Sequence, residues 1–172
     1  MTQLVLETER LVLRELELAD LDVMHEVLGD PTSMRFYPHP FSREETAMWI
    51  ERNRERYACE GFGLWAVVFK ETGELAGDTG LTVQAVDGED FVEVGWHIHP
   101  RLQGRGLATE AGRASLDHGF GSLGLDRIVS IIRPENVPSW RVAEKLGMTV
   151  WKETVHAGLA HRVYRVERPG GV

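Results

Sequence analysis

The part of this sequence best suited to chemistry is a short glycine turn with arginines, Arg101-Leu102-Gln103-Gly104-Arg105-Gly106-Leu107-Ala108-Thr109. It follows an apolar run, Phe91 to Ile98, and precedes an amphipathic one, Leu107 to Phe120, so it reads as strand, turn and helix. The first four N–H groups of a helix have no internal partner, and the helix dipole adds partial positive charge at the same end. Glycine lets a ligand come close to the backbone, so the turn could cradle a phosphate or pyrophosphate. Arg101 and Arg105 could add charge-assisted hydrogen bonds to its oxygens. An ordinary strand-to-helix turn would use the same glycines for chain geometry alone. A dinucleotide fingerprint is rejected, because Thr109 stands where its third glycine belongs and antiparallel hairpins precede the turn.

Other residues near this turn could move protons. Glu93 shares one face of the preceding strand with Phe91 and Gly95. A carboxylate there can accept a proton directly or through water, and burial would raise its pKa towards a useful value. The alternative is a solvent-facing strand residue. His97 and His99, with ordinary pKa values near 6.5, are rival bases or plain surface histidines. Asn136 and Ser139 fall where a later helix starts, and both residue types are good caps. Cys59 is the only cysteine, so neither an intrachain disulfide nor a cysteine metal cluster is possible. It has no evident histidine partner, which argues against a covalent cysteine route.

The elements that must position these groups follow from periodicity and punctuation. Arg10 to Leu16 alternates as a half-buried strand, and Leu18 to Leu28 has helical spacing, stopped at Gly29-Asp30-Pro31. Pro31 to Phe41 is an aromatic loop with three prolines. Ser42 and Glu45 form a capping box for a helix that runs to about Glu60 and ends at Gly61. Strands are expected over Leu64 to Phe69, Leu75 to Gln84 and Phe91 to Ile98, with Gly77 and Gly80 marking a bend or close backbone approach. The helix Leu107 to Phe120 comes next, then a buried strand over Leu125 to Ile132. Pro138 or Ser139 starts a last helix ending at Gly147, and Met148 to Glu153 with His161 to Glu167 form a final hairpin. The tail from Pro169 to Val172 should fray. The order β-α-α-β-β-β-α-β-α-β-β implies one mixed α/β (α+β) domain with helices on both faces of the sheet.

Composition narrows the function. A chain of 172 residues with 42% apolar and 27% charged residues fits one soluble globular domain. Its net charge of -8 argues against nucleic acid as a partner. No apolar run approaches the roughly 20 residues of a membrane helix, and the first residues lack a signal-peptide core. A soluble cytoplasmic protein is expected.

With these elements in place, the chain resembles the GCN5-related N-acetyltransferase (GNAT) superfamily, over roughly Glu7 to Glu167. Gln103, Gly106 and Ala108 match its acyl-CoA turn, Gln/Arg-x-x-Gly-x-Gly/Ala. The block from Arg133 to Met148 and the opening from Leu6 to Asp22 are similar to the subgroup that contains the ribosomal-protein acetyltransferases RimJ and RimL. The resemblance implies a single, mostly antiparallel twisted sheet of about seven strands. It also implies acetyl transfer from acetyl-CoA to a primary amine, on a protein N-terminus or a small molecule, by direct attack in a ternary complex. Under it, the backbone of Gln103, Gly104, Arg105, Gly106, Leu107, Ala108 and Thr109 holds the pyrophosphate, with Arg101 adding charge.

The strand before the turn would splay from its neighbour, so that the backbone at Trp96, His97 and Ile98 meets the pantetheine arm and thioester, the Trp96 N–H serving as oxyanion donor. Glu93 would be the base. Asn136 would contact the pantetheine, and Ser139 would contact the coenzyme and protonate the departing thiolate. Phe36, Tyr37, Trp49, Trp65 and the final hairpin around His156 would meet the acceptor. No metal is expected, and the subgroup allows a homodimer. The alternative is a noncatalytic acyl-CoA-binding or sensing domain that keeps the coenzyme contacts but not the need for Glu93 and Ser139.

Overall fold

The computed structural model describes residues 3–170; of the expected frayed tail, residues 171 and 172 lie outside the described residues. Eight strands form one sheet: β1 (Leu4–Glu7), β2 (Leu11–Arg14), β3 (Leu64–Phe69), β4 (Glu74–Val86), β5 (Glu89–Ile98), β6 (Arg127–Ile132), β7 (Thr149–His156) and β8 (Leu159–Glu167). Their order is β1-β2-β3-β4-β5-β6-β8-β7. Every neighbouring pair is antiparallel except β5 and β6. The strand beyond the expected number is β1, which pairs with β2 as an irregular outer ribbon. Its one partner and four-residue length leave little periodicity to read.

Four helices cover the two faces: α1 (Leu21–Leu28), α2 (Arg43–Glu60), α3 (Leu107–Gly121) and α4 (Val137–Lys145). The expected first helix divides into a short 3-10 turn, Leu18–Asp20, and α1. The capping box of α2 forms as read: the Glu45 N–H donates to the Ser42 hydroxyl, and the Glu45 carboxylate accepts from the Ser42 N–H. Gly61 ends the helix in the left-handed region at φ 80°.

Strand alternation divides the core. Leu11, Leu13, Trp65, Val67, Phe69, Val94 and Ile98 pack under α3 with Leu107, Ala111 and Leu116. Ala66 packs on the other face with Leu16, Met24, Leu28, Met34 and Ile50, under α1 and α2. The two strand glycines of β4 are required by backbone contact. A Cβ on Gly77 would lie 1.9 Å from the His97 carbonyl oxygen, and one on Gly80 would lie 2.1 Å from that of Gly63.

Candidate active site

The β5–β6 junction creates the site. β4 and β5 pair along ten residues, from Gly77↔Ile98 to Val86↔Glu89. The parallel β5–β6 ladder registers only at Glu93↔Val129, and beyond that point the strands diverge. The His99 N–H donates to the Ala76 carbonyl at 2.7 Å, so odd-numbered amides of β5 point at β4. By the same alternation, the N–H groups of Trp96 and Ile98 point towards the split.

A cavity of about 360 Å³ occupies the open end of this split. Trp96, His97 and Ile98 form its floor, and Gln103, Gly104, Gly106, Leu107, Ala108 and Thr109 form one rim. Asn136 and Ser139 line the opposite wall, and Phe36 and Tyr37 from the α1–α2 loop close another side. The structure therefore brings together most of the residues singled out in the sequence.

The rim has the form of an anion cradle. Gly104 and Gly106 take φ of 75° and 78°, left-handed values that side chains rarely adopt. Gly106 is the N-cap of α3, and no side chain caps that end, so its first N–H groups stay available. A brace from the start of β2 holds the turn. The Glu110 carboxylate accepts from the Arg10 N–H at 2.9 Å, from Arg10 Nε at 2.6 Å and from the Thr8 hydroxyl at 2.7 Å. Arg10 Nη1 also donates to the Arg105 carbonyl at 2.9 Å. Partial burial works to raise the Glu110 pKa, but these donors outweigh it and hold the group below its usual value. The Gln103 amide donates to the Ile98 carbonyl at 2.9 Å and ties the turn to β5.

The two arginine side chains expected to add charge do not line the cavity. The Arg101 side chain is exposed, does not line the cavity and lies 3.6 Å from Glu74. Arg105 is also exposed and enters the brace through its carbonyl rather than its guanidinium. Sequence reasoning missed Arg141 and Lys145, whose side of α4 faces the cavity with Pro138 and Val142. Their i, i+3, i+4, i+7 spacing was the available signal.

Glu93 sits at the branch point of the split, where its carboxylate accepts from the Ile131 N–H of β6 at 3.0 Å. Burial pushes its pKa up to about 7, against the lowering effects of that hydrogen bond, His97 and Arg56. It is half-buried rather than solvent-facing, and it is not among the residues that line the cavity. His99 turns away from the cleft; its Nε2 lies 2.9 Å from Glu26 and its Nδ1 accepts from the Arg101 N–H. Asn136 Oδ1 accepts from the Ser139 N–H at 3.3 Å, capping α4, while Ser139 lines the cavity.

The aromatic residues expected near the acceptor separate. Phe36 and Tyr37 line the cavity, and Trp49 stacks edge-on against His97 with ring centroids 5.7 Å apart. Trp65 is corrected: it is 1% exposed and packs under α3 against His118, because odd-numbered residues of β3 face that side. His156 meets His161 across the β7–β8 hairpin and does not line the cavity. Cys59 is exposed on α2. Among the described residues no cluster of three or more metal-ligating side chains occurs, and no helix is long and apolar enough to cross a membrane.

A splayed parallel strand pair, a glycine turn at an uncapped helix start and a half-buried carboxylate at the branch surround this cavity. Residues 10–149 match the acetyltransferase (GNAT) domain family, and the chain belongs to it. It is similar to an uncharacterized N-acetyltransferase, YnaD, of Bacillus subtilis, with 33% identity over 142 residues that cover 82% of this chain and 80% of the relative. The crystal structure of an acetyltransferase from Agrobacterium tumefaciens superposes with a TM-score of 0.83 at 30% identity, over 97% of this chain and 94% of that one. The ribosomal alpha-N-protein acetyltransferase RimL in complex with coenzyme A shares the fold, with a TM-score of 0.78 and 18% identity over 98% and 100% of the chains. The protein is an acetyltransferase of the GNAT family, and acetyl-CoA is the donor that family uses.

Proposed function

We propose that the protein acetylates a primary amine, on a small molecule or a protein N-terminus, by direct attack on acetyl-CoA in a ternary complex. The observation that carries this reading is the Glu93 carboxylate, fixed to the Ile131 N–H at the strand branch and poised near neutral pH. A base with pKa near the working pH combines a useful ionised fraction with driving force for proton removal.

The chain's residues would act as follows. The amides of Gln103 through Thr109 at the start of α3 hold the pyrophosphate, with Arg141 and Lys145 near enough to add positive charge. The Trp96 N–H, directed into the split, donates to the thioester oxygen as negative charge builds there. Glu93 removes a proton from the attacking nitrogen, directly or through one water. Asn136 keeps Ser139 at the cavity wall, where the Ser139 hydroxyl gives its proton to the departing thiolate. Phe36 and Tyr37 shape the acceptor side. We place the protein in the cytoplasm, where acetyl-CoA is made and used, and a homodimer is compatible with its subgroup.

Coenzyme release with a panel of amines, and mass spectrometry of the product, tests this reading. Acetylated amine with stoichiometric CoA release is the expected result. Tight acetyl-CoA binding without turnover on any amine would instead mark a coenzyme-sensing domain.

A further inference from the structure

A polar chain beside Glu93 runs from buried Asp78 through His97 to the exposed Tyr37 hydroxyl, and none of the proton transfers above uses it. Asp78 of β4 lies directly across from His97 of β5, on the face covered by α2. Its side chain is 0% exposed, and its two oxygens are divided between two donors. Oδ1 lies 2.7 Å from His97 Nδ1, and Oδ2 accepts from the Trp49 indole N–H at 2.8 Å. The other imidazole nitrogen, Nε2, lies 2.6 Å from the Tyr37 hydroxyl, and Tyr37 and His97 both line the cavity. A carboxylate only accepts hydrogen bonds, so Nδ1 carries the proton and neutral His97 presents a bare Nε2 to the Tyr37 O–H. The Tyr37 oxygen then has lone pairs free to face the cavity.

Resting on the proposed amine acetylation, we infer that Tyr37, His97 and Asp78 form a second proton route, which converts the incoming ammonium to the free amine before attack. The need for it follows from proton counting. An aliphatic amine is protonated at neutral pH and has no lone pair to attack with. Its nitrogen must lose one proton before the bond to the acetyl carbon forms and another afterwards. In the first loss, the ammonium proton passes to the Tyr37 oxygen as the Tyr37 hydroxyl proton passes to His97 Nε2. Tyr37 ends neutral, and the imidazolium is held against Asp78. In the second, Glu93 takes the proton left on nitrogen after addition. One of the two protons finally resides on the CoA thiol and the other leaves to solvent.

The charged surroundings suit this division. Besides Asp78 on β4, the groups facing His97 are Glu93 on its own strand and the Tyr37 hydroxyl on the α1–α2 loop, and Arg56 of α2 interacts with Glu93. Burial opposes protonation of His97, but Asp78 and Glu93 outweigh it and raise its pKa above the ordinary value. An imidazolium formed in the first proton loss is paired with the Asp78 carboxylate, 2.7 Å from Nδ1. The Tyr37 hydroxyl, on a residue 39% exposed, gives its proton to His97 Nε2 only as it takes one from the ammonium, so it does not become a phenolate. Trp49 and Asp78 are positioning residues, and Tyr37 is the group that touches the acceptor.

The test pairs two small acceptors with acetyl-CoA as donor: butylamine, protonated at neutral pH, and methoxyamine, which is not. Tyr37→Phe keeps the ring, and Asp78→Asn keeps the shape but can donate to Nδ1 and reverse the tautomer. Both variants should slow butylamine about tenfold or more, while methoxyamine changes less than about twofold. Raising the pH should restore butylamine turnover in Tyr37→Phe as free amine accumulates in solution. Glu93→Gln should slow both acceptors, so its failure would remove the base of the proposed reaction without touching the relay. Nitrogen NMR of the His97 ring in the free protein should show the Nδ1–H tautomer, reversed in Asp78→Asn. Equal losses for both amines, no loss for either, or an Nε2–H tautomer in the unaltered protein would overturn the relay.

Discussion

At the scale of the single residue, Glu93 links activity to stability. Its pKa in the folded protein is about 7, well above the 4.5 of an ordinary glutamate. A carboxyl whose folded pKa is raised binds protons more tightly in the native state, so its contribution to stability falls as pH rises from the unfolded to the folded pKa. The destabilisation develops between about pH 4.5 and 7 and is complete above that window. Glu93→Gln keeps an oxygen for the Ile131 N–H but carries no charge. It should raise the melting temperature by a few degrees at about pH 8 and have little effect at about pH 5, as calorimetry at the two pH values would read. Because the base must be ionised, kcat/KM of the unaltered enzyme should rise through about pH 7. A site residue whose neutral isostere stabilises the fold and weakens the reaction is a functional strain rather than a structural prop.

At the scale of elements, the start of α3 depends on a strand about a hundred residues away in sequence. Glu110 in the first helical turn joins the Arg10 and Thr8 donors, and Arg10 reaches on to the Arg105 carbonyl. Glu110→Gln should loosen the cradle and weaken acetyl-CoA binding several-fold, about the worth of one charge-assisted hydrogen bond, by isothermal titration. By contrast, Ser42→Ala removes only the α2 cap and should cost about 1 kcal/mol in denaturant unfolding, with coenzyme affinity unchanged. The two caps differed in legibility. The Ser42–Glu45 box is local in sequence and was readable there, whereas the Glu110 brace joins distant segments and left no local pattern. The same distinction explains Trp65 and Asp78. Alternation gave Trp65 a face but not which helix covers that face. Asp78, flanked by the glycines of β4, gained its meaning only when antiparallel register put it opposite His97. Glu93, the turn and Asn136–Ser139 were legible because strand, turn and cap chemistry are local, and the family resemblance then joined them.

At the scale of the whole molecule, one parallel junction in an otherwise antiparallel sheet opens the cleft, and every other element serves to hold it. β4 backs the floor through its long ladder with β5, α3 and α4 supply two walls of the cavity, and the α1–α2 loop closes another side. A ligand that binds this cleft only in the folded state must stabilise the domain by mass action. Acetyl-CoA at a hundred times its dissociation constant should add about 2.7 kcal/mol, visible as a concentration-dependent rise in melting temperature. The central claim is that Glu93 takes a proton from an acceptor amine at this cleft. Its most direct test measures acetyl-CoA affinity and kcat together in Glu93→Gln. The expected result is a fall in kcat of about a hundredfold or more with coenzyme affinity within about twofold of the unaltered protein. An unchanged kcat, or a loss of activity fully accounted for by weaker coenzyme binding, would contradict it.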